Sequence, residues 1–128
     1  MLRLLATVLI ASTALAAPAL ADAPLCKGNP KVVDKCMTFY GPLSVYSGSP
    51  SIRIWPVGTK QLYGVRGTGA DPETVVLPEK LRDILAANPR EVNGKWEVCP
   101  LEPERPNQLR SVCLESATEL RPVARTPQ

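Results

Sequence analysis

The chain has 128 residues, which is enough for one small domain, and 15 Lys and Arg residues against 12 Asp and Glu residues give a net charge of +3. Because this charge is small and its two signs are interspersed, the composition argues against a nucleic-acid partner and against an anionic membrane. The chain contains no histidine, which excludes Ser-His-Asp and Cys-His catalysis and any zinc site that uses imidazole ligands.

The first 21 residues have the pattern of a cleavable secretory signal peptide. Arg3 precedes an apolar run over 4–17, and the small residues Ala19 and Ala21 stand before the predicted cut. The run is shorter than the ~20 residues that a membrane-spanning helix needs. A lipoprotein would carry a cysteine directly after the cut, whereas the first cysteine, Cys26, lies further on. We therefore predict export to the periplasm or to the outside of the cell, without a membrane anchor.

The predicted mature chain contains four cysteines, Cys26, Cys36, Cys99 and Cys113. An even number of cysteines in a small exported protein predicts disulfides. Of the three possible pairings the sequence favours Cys26–Cys36 with Cys99–Cys113, because both bonds close short loops. The alternatives are a zinc site made of four thiolates, although no C-x2-C spacing is present, and a redox pair.

Three strands are predicted in the first half of the mature chain. Residues 36–46 alternate between apolar and polar side chains, which is typical of a half-buried strand, and Gly41-Pro42 predicts a bend within it. A turn then separates it from a second strand over 51–57. A third strand is predicted over 60–65.

A short helix follows the third strand after a glycine-containing loop. Pro78 suits the first position of a helix, where its missing N–H has no cost. Leu81, Ile84 and Leu85 are spaced as one apolar stripe. The pair Asn88-Pro89 predicts the end of this helix.

Two further strands complete the pattern. A turn is predicted at Asn93-Gly94, followed by strands over 95–99 and 109–115 that are joined by a polar, Pro-rich loop over 100–108. Residues 118–128 show no periodic pattern and predict a flexible tail. The side chains expected to face the core are Trp96, Val98, Val112 and Leu114.

The order of these elements, β-β-β-α-β-β, predicts a mainly β fold. A long bent first strand with one helix between the third and fourth strands is typical of a small OB-like β-barrel. Another small sheet with one packed helix is the alternative. The chain then divides into the signal peptide, an N-terminal segment over 22–35, a barrel-like domain over 36–117 and the tail.

Three stretches resemble a family of small uncharacterised secreted proteins of proteobacteria. They are GSPSIRIWPVGT at 48–59, EVCPL at 97–101 and VCLESA at 112–117. The likeness covers about 36–120, most of the mature chain. The resemblance implies a bacterial, exported domain, and it implies no activity and no functional residues.

No catalytic or cofactor-binding motif is present. The sequence lacks G-x-S-x-G, H-E-x-x-H and an EF-hand loop, and the glycines of 64–69 lack the lysine of a phosphate-binding loop. Glu97 and Glu115 could face each other on neighbouring strands, as the paired carboxylates of glycosidases do, or form a solvated face. We predict no cofactor and no metal.

The second and third predicted strands carry the candidate binding residues. Arg53 and Trp55 share a face opposite Ile52 and Ile54. Depending on the strand register, they are joined by Tyr46, Lys60, Tyr63 and Arg66. Aromatic rings with cations between them suit stacking on sugars or bases and pairing with anionic groups. The alternative is structural, with Trp55 in the core and Arg53 as its cover or as half of an ion pair.

These observations favour an exported, non-enzymatic domain that binds a peptide, an envelope glycan or a partner protein. A second hypothesis is a structural or inhibitory protein that acts through the Pro-rich loop, since a pre-organised loop loses little entropy on docking. A third is a carboxylate- or metal-dependent hydrolase.

Overall fold

The computed structural model of the protein describes residues 8–15 and 23–126. Arg3 and the predicted cleavage site lie outside these ranges. Residues 8–15, which belong to the predicted apolar run, are exposed and contain no helix or strand. Among the described residues, no helix has the length and apolar character needed to cross a membrane.

Five strands and one helix make up the described fold. In chain order they are β1 (Met37–Val45), β2 (Ile52–Ile54), β3 (Tyr63–Val65), α1 (Glu79–Ala86), β4 (Glu91–Pro100) and β5 (Arg110–Val123). The strands form a closed barrel in the order β1-β2-β3-β5-β4, in which β3 and β5 are parallel and all other pairs are antiparallel. This architecture confirms the predicted mainly β, OB-like barrel with one short helix.

The first strand closes the barrel because it pairs on both sides. Its residues Met37–Leu43 pair with β4, and Leu43–Val45 pair with β2. The predicted bend at Gly41-Pro42 lies next to this change of partner. A Cβ atom on Gly41 would come within 1.9 Å of the Trp55 carbonyl oxygen, so only glycine allows the chain after β2 to approach β1 this closely.

The barrel interior is filled by the inward-facing side chains of all five strands. Trp96 is completely buried, and its indole N–H donates to the Gly41 carbonyl oxygen at 2.8 Å, which satisfies the one polar atom of the ring. The other three side chains that were expected to face the core, Val98, Val112 and Leu114, are also buried. Helix α1 adds the buried Leu81 to the same core, with Ile84 and Leu85 packed beside it.

The last two strands are longer than the sequence pattern predicts. β4 begins at Glu91, and β5 continues to Val123, so the predicted turn at Asn93-Gly94 and the predicted tail over 118–123 are wrong. Residues 91–93 pair with 121–123, and the register shifts between Asn93 and Lys95. The extra residue lies on β5, where Thr118 pairs with Lys95 and Arg121 with Asn93, and it breaks the period of two in β5. β4 itself alternates between half-buried and buried residues from Glu91 to Val98, so its earlier start was readable in the sequence.

All four cysteines form disulfides, but the predicted pairing is wrong. The bonds join Cys26 to Cys113 and Cys36 to Cys99, with sequence separations of 87 and 63. Cys99 and Cys113 are register partners on β4 and β5. Each forms its disulfide with a cysteine of residues 23–36, a segment that we call the N-terminal strap. The predicted pairing is wrong because it considered only how far apart the cysteines lie along the chain. In the folded protein the strap packs against β4 and β5, next to Cys99 and Cys113.

Candidate binding face

Four outward-facing side chains on β1, on β2 and on the residues that directly follow these strands form what we call the aromatic face: Tyr40, Tyr46, Arg53 and Trp55. The register sets this orientation, because Leu43 and Ile54 are partners that point into the core, while Ser44 and Arg53 are partners that point outward. The Trp55 amide donates to the Pro42 carbonyl oxygen at 3.0 Å, so the chain continues along β1 beyond the end of β2.

Arg53 and Tyr46 form a cation–π pair on this face. The guanidinium carbon lies 4.6 Å from the centre of the Tyr46 ring, and Nε donates to the Pro50 carbonyl oxygen at 3.0 Å. These two contacts hold the guanidinium against the ring. A positive charge is thereby fixed at the surface beside a half-exposed aromatic side chain.

Trp55 is held with its ring at the surface. Its indole N–H donates to the Thr59 carbonyl oxygen at 2.7 Å, and 46% of the residue is exposed. The alternative in which Trp55 belongs to the core is therefore wrong. Because the polar edge of the ring already has its partner, the apolar surface of the ring is what a ligand would contact.

Tyr40 extends the face across β1 and is a residue that the sequence-based candidates did not include. It is 53% exposed, its hydroxyl donates to Glu119 Oε2 at 2.8 Å, and Lys95 Nζ lies 5.7 Å from the ring centre. The hydrogen bond to the Glu119 carboxylate raises the pKa of the Tyr40 phenol. The signal that could have identified Tyr40 is that it shares the parity of Tyr46 along the first strand.

Tyr63, a predicted member of the face, lies on the opposite side of the sheet. It is the register partner of the buried Ile54, its ring centre lies 5.3 Å from that of Phe39, and its hydroxyl lies 3.7 Å from Met37 Sδ. Burial raises the pKa of the Tyr63 phenol. The assignment of Tyr63 to the binding face is wrong, because the pairing of β2 with β3 gives it the inward parity.

The other predicted members lie in different surroundings. Lys60 is exposed in the connection between β2 and β3, where it lines a groove of about 470 Å³ with residues 104–109. Arg66 pairs with Glu73 and donates to Ser49 Oγ at 3.2 Å. The structure therefore brings together Arg53, Trp55 and Tyr46 and gives Arg66 another partner.

Glu97 and Glu115 both hold the N-terminal strap. The carboxylate of Glu115 accepts hydrogen bonds from the backbone N–H groups of Leu25 and Cys26, at 2.7 and 2.8 Å. Glu97 forms an ion pair with Lys27 at 3.0 Å. Both carboxylates of the hypothetical hydrolytic pair are thus engaged with the strap.

The Pro-rich loop has a fixed base and an exposed tip. The carboxylate of Glu102 accepts the Ser111 N–H at 2.8 Å, and Arg110 Nε donates to the Glu102 carbonyl oxygen at 2.9 Å. Arg110 is buried and also faces Asp34 of the strap at 3.7 Å. Residues 103–108 project from this base into solvent.

The functional argument for this chain rests on the geometry of its described residues. Within residues 8–15 and 23–126, no group of three or more Cys, Asp or Glu side chains is placed to hold a metal ion. Comparisons of the chain with protein-family models, with curated proteins and with solved structures find no match. The aromatic face combines exposed rings with fixed cations, and it is the feature on which a function can be argued.

Proposed function

We propose that the protein is an exported, non-enzymatic module that binds an acidic glycan of the bacterial envelope through its aromatic face. The signal-peptide pattern supports export, and two disulfides are typical of proteins that fold in an oxidising compartment. The outer surface of an OB-type barrel is also a place where such folds bind oligosaccharides.

The single observation that carries the proposal is that Arg53 and Trp55 are both oriented by hydrogen bonds to the backbone while remaining at the surface. Arg53 is held by the Pro50 carbonyl and Trp55 by the Thr59 carbonyl. Side chains that are already ordered lose little entropy when a ligand binds. An exposed ring then provides a flat apolar surface on which a sugar ring can stack.

The aromatic face presents two cations to an anionic ligand, while the Glu119 carboxylate beside it is engaged by the Tyr40 hydroxyl. Arg53 and Lys95 lie against the rings of Tyr46 and Tyr40. In the described part of the chain the ion pairs involve other cations, namely Lys27, Arg66, Arg90 and Arg110. Arg53 and Lys95 can therefore meet a ligand carboxylate without first breaking an ion pair.

The arrangement of rings and charges favours a glycan over a protein partner. Protein–protein interfaces are also enriched in aromatic residues and Arg, but the fully buried core of such an interface is depleted in charge. On the aromatic face, Arg53 lies directly against Tyr46, and Lys95 lies beside Tyr40. Alternation of rings with cations suits a ligand whose apolar ring faces alternate with carboxylates.

The test measures glycan binding by protein that has been secreted to the periplasm from its full-length gene. The probes are amidase-released peptidoglycan strands, which carry muramic acid carboxylates, and neutral chitin oligomers of equal length. We expect tighter binding to the acidic strands, weakened by salt, because screening reduces attraction between exposed charges. Trp55→Ala and Arg53→Ala should each reduce affinity about tenfold.

Matched control variants test whether the loss of affinity is specific to substitutions on the aromatic face. Val76→Ala and Arg82→Ala remove an exposed apolar side chain and an exposed cation outside the face, and both variants should bind like the wild type. The proposal is wrong if correctly folded Trp55→Ala and Arg53→Ala bind the acidic strands with unchanged affinity. It is also wrong if the protein binds a peptide or a single-stranded nucleic acid but no glycan. N-terminal sequencing that begins at Met1 instead of Asp22 would contradict cleavage of the signal peptide.

A further inference from the structure

A polar groove lies beside the aromatic face on the outer surface of β1, β4 and β5. It has a volume of about 260 Å³ and is lined by Thr38, Lys95, Glu97, Ser116 and Thr118. The strand register brings these residues together, because Thr38 is the partner of Glu97, which is in turn the partner of Ser116. Lys95 is likewise the partner of Thr118.

The groove is continuous with the aromatic face through Tyr40 and Lys95. These two residues are register partners, and the Lys95 ammonium lies over the Tyr40 ring while its side chain lines the groove. Neighbouring strands are about 4.8 Å apart. Along the curved outer surface of the closed barrel, the three spacings from β2 across β1 and β4 to β5 add up to about 14 Å, which is longer than one sugar ring.

The lining of the groove matches the hydroxyl groups of a sugar. Thr38, Ser116 and Thr118 each carry a hydroxyl that can donate one hydrogen bond and accept two. Thr38 and Thr118 are exposed, and Ser116 is half-buried. Lys95 adds a cation for a ligand carboxylate, and the carboxylate of Glu97, which is paired with Lys27, can accept a ligand hydroxyl.

We propose that this groove is a second subsite for the same glycan, so that the ligand is an oligosaccharide that crosses the strands from Trp55 to Ser116. The inference rests on the proposed function, because the first sugar stacks on the aromatic face. Occupying a linked second subsite makes its binding intramolecular and raises affinity. A ligand of two sugars reaches the aromatic face alone, whereas longer strands fill the groove as well.

The experiment compares peptidoglycan strands of two, four and six sugars on the wild-type protein and on Ser116→Ala/Thr118→Val. Wild-type affinity should rise about tenfold from two sugars to six. The double variant should bind the two-sugar strand with an affinity within about twofold of the wild type. It should lose most of the increase in affinity with strand length, because it lacks two hydroxyls of the groove. Thr68→Val, which removes a hydroxyl from the segment between β3 and α1, should retain the rise.

The outcomes separate the two proposals. If the wild type binds all three lengths equally, or if the folded double variant keeps the full rise, the second subsite is wrong while binding at the aromatic face stands. If no length binds, or if Trp55→Ala leaves two-sugar binding unchanged, the proposed function itself fails. The melting temperature of each variant checks folding, and Ser116→Ala alone replaces the double variant if the latter unfolds.

Discussion

Trp55 and Tyr63 show how local contacts give two aromatic residues opposite roles. The indole N–H of Trp55 has a backbone acceptor at the surface, so the ring stays half-exposed at no cost in lost hydrogen bonds. Tyr63 is stacked on Phe39, and the partner of its hydroxyl is the Met37 thioether, which is a weak acceptor. The core therefore gains the large apolar area of Tyr63, and its phenol is kept in the neutral form.

The buried phenol of Tyr63 predicts a loss of stability at alkaline pH. Burial raises its pKa above the ordinary value of about 10. Above that pH the unfolded phenol loses its proton while the folded one keeps it, so the free energy of unfolding falls from about pH 10 up to the raised pKa. Below about pH 10 the neutral Tyr63 phenol makes its full contribution to the free energy of unfolding.

Urea denaturation across this alkaline window tests the prediction. Tyr63→Phe should flatten the decline in the free energy of unfolding, because no phenol then titrates in the core. Tyr46→Phe, which changes an exposed tyrosine, should leave the decline in place because Tyr63 remains. Equal pH dependence in the wild type and in Tyr63→Phe would show that another group causes the loss.

At the scale of elements, the strap is joined to β4 and β5 by contacts of several kinds. Glu115 accepts strap N–H groups, Lys27 pairs with Glu97, and the Val33 N–H donates to the Pro100 carbonyl oxygen at 3.0 Å. Cys26, Cys99 and Cys113 form a small buried cluster outside the barrel, with Leu25, Val32, Cys36 and Leu101 packed against it. The strap thus extends the hydrophobic core onto the outer surface of two strands.

Removing the carboxylate that binds the strap should loosen this element. In Glu115→Ala the N–H groups of Leu25 and Cys26 lose their acceptor, which we expect to cost about 1–3 kcal/mol of unfolding free energy. Tryptic cleavage after Lys27 and Lys31 should become faster, because local opening of the strap then costs less.

Glu104→Ala is the matched control, because it removes an exposed glutamate from the Pro-rich loop. We expect its unfolding free energy to stay within about 0.5 kcal/mol of the wild type. Cleavage of Glu115→Ala at the wild-type rate would mean that the disulfides alone hold the strap.

At the scale of the whole molecule, the disulfides join residues that are far apart in the chain. The two bonds have separations of 87 and 63 residues, and both connect the strap to the last strands of the barrel. Closing loops of this length removes a large amount of entropy from the unfolded chain. Each bond therefore stabilises the barrel together with the strap.

Deleting either bond should lower the melting temperature markedly. Cys26→Ser/Cys113→Ser and Cys36→Ser/Cys99→Ser should each cost about 4 kcal/mol, the chain-entropy value for loops of this size. Non-reducing peptide mapping of the wild type should link Cys26 to Cys113 and Cys36 to Cys99. A fragment that joins Cys26 to Cys36 would contradict this connectivity.

The sequence by itself determined the features that depend on local pattern. Alternation identified β1 and the inward side of β4 and β5, the stripe of Leu81, Ile84 and Leu85 identified α1, and the order of elements identified the barrel. These predictions succeeded because burying one face of a strand or helix imposes a period on the residues nearby. Arg53 and Trp55 were identified for the same reason.

Only the tertiary structure decided which distant residues meet. The disulfide connectivity and the link between Tyr40 and Lys95 depend on contacts between segments that are far apart in the chain. The extension of β5 to Val123 and the inward position of Tyr63 depend on the register between successive strands. Register is set by how the closed barrel packs as a whole, and a shift of one residue would turn each side chain to the other face. Local periodicity carries no information about that choice.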